Sequence, residues 1–163
     1  MNTSTTSVGT SFENHVRQFA EGIEYELSRA SNPGQAKSGS KNKHEGISGF
    51  KHQIDISVEA PNGNLVVIEC KRFGKPVRLQ DVLVFLGRVL DIEAKRAPRS
   101  VTGVIVTTKR FTKHGHSLAL HYSIQLLQVA HVPDAIMQVR NSYLGVAVDN
   151  MNYQEDDFDA QLT

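Results

Sequence analysis

Apolar residues recur at three- and four-residue intervals over residues 11–29, where Phe12, Val16, Phe19, Ile23 and Leu27 share one face of a predicted helix capped by Thr10. Residues 31–49 lose that periodicity and carry four glycines and three lysines, so they read as a long basic loop. Two runs rich in Ile and Val follow, Gln53 to Ala60 and Leu65 to Arg72, around a Pro61-Asn62-Gly63-Asn64 turn. A helical period returns from Leu79 to Lys95 through Leu79, Val82, Leu83, Leu86, Val89 and Leu90, and Pro98 closes the segment. Gly87 costs that helix about 1 kcal/mol relative to Ala, for which close packing on a sheet is the expected reason. A strand over 101–108, a helix over 114–122, a strand over 124–130 and a short helix opened by Pro133 complete the order. The expected organisation is a flexible N-terminus (1–10), one domain (11–144) and an acidic, disordered tail (145–163).

The central hairpin has two registers, and they place its acids differently. A two-residue loop at Asn62-Gly63 sets Asp55 opposite Cys70, on the other face from Glu69. A three-residue loop puts Pro61 and Asn62 at the corners of a type I turn and Gly63 in the left-handed position, pairing 57 with 67 and 55 with 69. Only the second collects Ile54, Ile56, Val58, Val66, Ile68 and Cys70 on one apolar face. The other face then presents Asp55, Ser57, Glu69 and Lys71 near one end.

Opposed side chains on such a hairpin have Cβ atoms about 5 Å apart, so Asp55 and Glu69 can share a cation that offsets their repulsion. Mg²⁺, with Mn²⁺ as a substitute, is held by one or two carboxylates together with waters and substrate phosphate, and the Cys70 carbonyl would add a further oxygen. Lys71, roughly 7 Å along the strand from Glu69, would meet a phosphate bound there. The chemistry this implies is hydrolysis of a phosphodiester by a metal-activated water, Lys71 stabilising the developing charge.

Charge agrees with a polyanionic partner. The formal net charge is +1, but the five acids after Gly145, with no base among them, leave 18 bases against 12 acids in residues 1–144. Lys37, Lys41, Lys43, Lys51 and His52 in and beside the basic loop, and Arg72 and Lys75 after the hairpin, are the expected DNA contacts. The single cysteine, Cys70, precludes an internal disulfide, and no apolar run is long enough to span a bilayer, so a cytoplasmic protein is expected.

Asp55, thirteen residues, then Glu69-Cys70-Lys71 on a hairpin resembles the PD-(D/E)xK nuclease superfamily. Phe12-Glu13-Asn14-His15-Val16, Ile68 through Val77, and Gly103 through Thr108 with Phe111-Thr112 look like successive motifs of Mrr-type restriction endonucleases. The resemblance implies a restriction-endonuclease-like α/β fold, a central mixed sheet flanked by helices in α-β-β-β-α-β order. It also implies a Mg²⁺-dependent endonuclease on double-stranded DNA, with Glu13 joining Asp55, Glu69 and Lys71 in the catalytic set. Three features depart from the pattern: Ile54 stands where such enzymes often have Pro, the first linker is unusually long and basic, and His114 and Gly115 lie where relatives commonly place small residues on the following helix. Glu13 also fits a capping box with Thr10. The alternatives are a Holliday-junction-resolvase-like nuclease acting as a homodimer, or a catalytically inactive DNA-binding module of the same fold.

Overall fold

The structure, a computed structural model, describes residues 14, 16–22, 35–60, 62–71 and 75–128. Helix α1, described over 16–22, precedes strands β1 (Gln35–Ser38), β2 (Lys43–Glu45), β3 (Lys51–Gln53), β4 (Ile56–Glu59) and β5 (Leu65–Cys70). Helix α2 (Leu79–Arg96), β6 (Val101–Thr107), α3 (Lys113–His121) and β7 (Gln125–Gln128) complete the described chain. The expected last helix and the acidic tail lie outside the described residues.

Five strands form one mixed sheet in the order β1-β4-β5-β6-β7, antiparallel from β1 to β5 and parallel from β5 to β7. The hairpin register is the one set by a three-residue loop: Ile56 pairs with Ile68, Ser57 with Val67 and Glu59 with Leu65. Ala60 N–H donates to the Asn64 carbonyl at 2.8 Å, and Gly63 takes φ +84, the left-handed value that Gly adopts without Cβ strain.

Apolar clusters cover both faces of this sheet. On one, Ile56, Val58, Ile68, Cys70, Val104 and Val106 pack with Phe19 and Ala20 of α1. On the other, Leu65, Val67 and Ile105 pack with Val82, Phe85, Val89 and Ile92 of α2 and Ala119 of α3. Burial on both sides is what parallel strands with helical crossovers require. Leu65 and Val67, on the same hairpin face as Glu69, are core residues beneath α2. Ile54 changes sides: regular β4 begins at Ile56, the chain bends at Asp55, and Ile54 packs with the α2 cluster. Gly87 is exposed with no atom near a Cβ built there, whereas a Cβ at Gly103 would meet Val89 Cγ2 at 2.9 Å. The close approach of α2 to the sheet is thus made by a glycine of β6.

The segment 31–49, expected to be a loop, holds β1 and β2, and β2 pairs with β3 just beyond it to make a two-stranded ribbon. Its turn repeats the geometry of the first hairpin: Gly46 N–H donates to the Phe50 carbonyl at 2.9 Å and Gly49 takes φ +82. His44 and His52 are opposed on one ribbon face, while Lys43, Glu45, Lys51 and Gln53 on the other are exposed. His44 Nε2 lies 2.9 Å from Ser57 Oγ, and His52 Nε2 lies 2.6 Å from Asp91 Oδ2 of α2. At the ribbon base the buried Asn42 amide donates to the Lys37 and Ile54 carbonyls, at 3.1 and 3.0 Å, and its oxygen accepts from Ser57 at 2.9 Å. Since the Ser57 hydroxyl proton is directed at Asn42, His44 Nε2 is the donor to Ser57 Oγ.

Candidate active site

The antiparallel and parallel halves of the sheet meet at β5, and its C-terminal end opens on a cavity of about 490 Å³. Asp55, Glu69, Cys70, Lys71, Lys75 and Asp81 are among the residues that line it. Four expected site residues thus converge from the bend before β4 and the end of β5.

Asp55 Oδ2 accepts the Cys70 N–H at 2.8 Å, so the carboxylate itself closes the ladder where the bend interrupts it. Burial, and then the Glu69 charge, push the Asp55 carboxyl up to about 6, against the Cys70 N–H and the cations Lys71 and Arg88. Glu69 is held on both oxygens, by Lys71 Nζ at 2.9 Å on Oε1 and by Arg88 at 3.2 Å on Oε2. Lys71 Nζ also lies 3.7 Å from Asp81 Oδ1, and the other Asp81 oxygen accepts the Arg78 N–H at 2.9 Å. The first turn of α2 is therefore capped and tied to the site by one side chain. The Cys70 thiol is buried and pushed well up by burial and the two carboxylates, which leaves it protonated and unreactive at neutral pH.

The donor set fits a hard divalent cation. Its side-chain donors are carboxylate oxygens, and burial, with the Glu69 charge after it, makes ionised Asp55 costly in a way that a bound cation would offset. Among the described residues no three His, Cys, Asp or Glu side chains form a ligand cluster, but Mg²⁺ needs only one or two carboxylates with waters and phosphate.

The remaining expected residues fall elsewhere. Lys37, Lys41, Lys43 and Lys51 are exposed on β1, the following turn and the ribbon, outside the cavity lining. His52, expected at DNA, is turned inward against Asp91 with a side chain only 14% exposed, so it anchors the ribbon. Glu13 and Arg72 lie outside the described residues. Sequence reasoning missed Arg88 and Asp81. They stand seven residues apart on the helical stripe that includes buried Phe85 and Ile92, and charges on such a stripe are the signal that marks them.

A mixed sheet with helices on both faces, and an acidic pair with a lysine where antiparallel pairing gives way to parallel, defines a restriction-endonuclease-like α/β domain. Residues 6–135 match the Mrr catalytic-domain model of restriction endonucleases, and the chain belongs to that family. A comparison with curated proteins finds no match. Among solved structures, AF1548, a protein of unknown function, overlays with a TM-score of 0.53 at 20% identity, over 78% of this chain and 66% of that one. Protein VC1899 from Vibrio cholerae overlays with a TM-score of 0.52 at 14% identity, over 82% and 33%. An EndoMS-dsDNA complex gives a TM-score of 0.49 at 18% identity, over 69% and 41%. The chain thus spans between a third and two thirds of the length of these structures. Among the described residues no helix is long and apolar enough to cross a membrane.

Proposed function

We propose that this chain is a metal-dependent DNA endonuclease whose active site is the cavity at the end of β5. The observation that carries the reading is the convergence of Asp55, Glu69 and Lys71 in that cavity, with Asp55 raised to about 6 by burial and by Glu69. Asp55 and Glu69, with the Cys70 carbonyl, would hold Mg²⁺ or Mn²⁺. When bound, such a cation makes water acidic enough to serve as nucleophile and offsets charge on the phosphate. Lys71 supplies a fixed positive charge beside Glu69, where it orients the attacking water and stabilises charge gathering on the phosphoryl oxygens. Arg88 fixes the Glu69 carboxylate from the opposite oxygen. Exposed Lys37, Lys41, Lys43, Lys51 and Lys75, with Arg72, are suited to double-stranded DNA through phosphate contacts. Glu13 joins the catalytic set on the family resemblance.

The test is cleavage of supercoiled plasmid with Mg²⁺, Mn²⁺ or EDTA. Wild type should nick it only with metal, and Lys71→Ala should be slower by about 10²–10³ with an unchanged melting temperature. Equal cleavage by both proteins, or cleavage in EDTA, would refute the mechanism.

A further inference from the structure

Phe50 and Ile47, at the tip of the β2-β3 ribbon, are 65% and 63% exposed, more than any other large apolar side chain among the described residues. Solvent-exposed apolar tips do not stabilise a fold, yet this one is held rigidly. Ile47 N–H donates to the Asp91 carbonyl at 2.9 Å. Ser48 donates its N–H and its hydroxyl to the two Asp91 carboxylate oxygens, at 3.0 and 2.6 Å. Hydrogen bonds from Ser48 and His52 keep that carboxyl down near 2, so the clasp is ionised throughout the neutral range. Gly46 is required there, since a Cβ would run into the Asp91 carboxylate. Phe50 stands edge-on to the His52 ring, with centroids 5.0 Å apart.

The clasp also fixes where the tip is. Asp91 is one helical turn from Arg88, which grips Glu69, so the clasp seats the ribbon against the helix that borders the catalytic cavity, while no ribbon residue lines the cavity itself. Exposed Lys51 adjoins the tip opposite Glu45, which Lys95 pairs with at 3.1 Å, and exposed Lys43 and Lys41 lie further back toward the ribbon base, so the ribbon carries more positive than negative charge. A second copy of this chain would bring like charges together there, whereas a duplex offers phosphates to the lysines and base faces to the apolar side chains.

We infer that the β2-β3 ribbon is a DNA-deforming wedge, Ile47 and Phe50 entering the base stack beside the scissile phosphate while Lys43 and Lys51 hold the flanking backbone. This rests on the nuclease reading, and the experiment separates the two. A duplex substrate carrying 2-aminopurine at successive positions around the cut is titrated with the full chain in Ca²⁺, and cleavage is followed separately in Mg²⁺. Wild type should raise fluorescence several-fold at one or two adjacent steps. The double variant Ile47→Ala/Phe50→Ala, folded by its melting temperature, should lose that rise and cleave at least tenfold more slowly, and Phe50→Leu should recover part of both. Wild-type cleavage with no rise at any position, or an equal rise in the double variant, overturns the wedge and leaves the nuclease reading standing. A double variant that changes only the sedimentation of the protein assigns the tip to self-association and overturns it too. Wild type that neither binds nor cuts DNA refutes both readings.

Discussion

At the scale of single residues, Asp55 does two jobs that oppose each other. Its carboxylate closes the β4-β5 ladder by accepting the Cys70 N–H, yet its ionised form is held in a buried place beside Glu69. Its folded-state pKa of about 6 lies above the ordinary 3.8, so between those values the folded chain keeps a proton that the unfolded chain releases. Stability from this group is therefore full below about pH 4, falls as pH rises toward 6 and stays lowered above it. Asp55→Asn keeps an oxygen for the Cys70 N–H and removes the charge. In EDTA near pH 8 it should be more stable than wild type in urea melts by on the order of 1–3 kcal/mol, and the difference should vanish near pH 4. A variant less stable than wild type at both pH values would contradict the assignment. Such a carboxylate is a liability to the metal-free fold and an asset to a cation site.

At the scale of elements, the legible parts were those where turn chemistry and apolar pattern agreed. Pro61-Asn62-Gly63 set a three-residue loop, and the Ile and Val alternation on its flanks left one register, so the convergence of Asp55 and Glu69 could be read before any coordinates. The β2-β3 ribbon has the same loop geometry, but Lys43-His44-Glu45 and Lys51-His52-Gln53 contain no Val, Ile, Thr, Tyr, Phe or Trp and so carry no strand signal. Its pairing is supported by tertiary bonds from His44 to Ser57 and from His52 to Asp91, which no short local window contains. Ile54 was misplaced for a related reason, because strict alternation fails at a bend. Helix packing was misread at Gly87 since the glycine that matters lies on the facing strand. Gly103→Ala should drive a Cβ into Val89 and Phe85 and cost about 1–3 kcal/mol in a thermal or denaturant melt. An unchanged or raised stability would mean that α2 is less closely seated on β6 than described here.

At the scale of the whole molecule, one sheet built from two kinds of pairing creates the site. The antiparallel half delivers Asp55, and β5, the strand shared with the parallel half, delivers Glu69 and Lys71. Helix α2 then seats on the parallel half and serves two neighbours from one side: Arg88 fixes Glu69, while Asp91 clasps the ribbon and Lys95 pairs with the ribbon's Glu45 at 3.1 Å. The fold family could be recognised from the hairpin and its flanking motifs, whereas the ribbon and its clasp emerge only from the three-dimensional arrangement. The proposed nuclease activity, and the wedge that rests on it, depend on one central claim, that the two carboxylates at the end of the hairpin share one divalent cation. Binding of Mn²⁺ to the DNA-free protein, followed by electron paramagnetic resonance, measures this most directly. Wild type should take up Mn²⁺ saturably and release it to excess Mg²⁺, whereas Asp55→Asn and Glu69→Gln, both folded, should each bind at least tenfold more weakly. Equal Mn²⁺ binding by wild type and both variants would contradict the account.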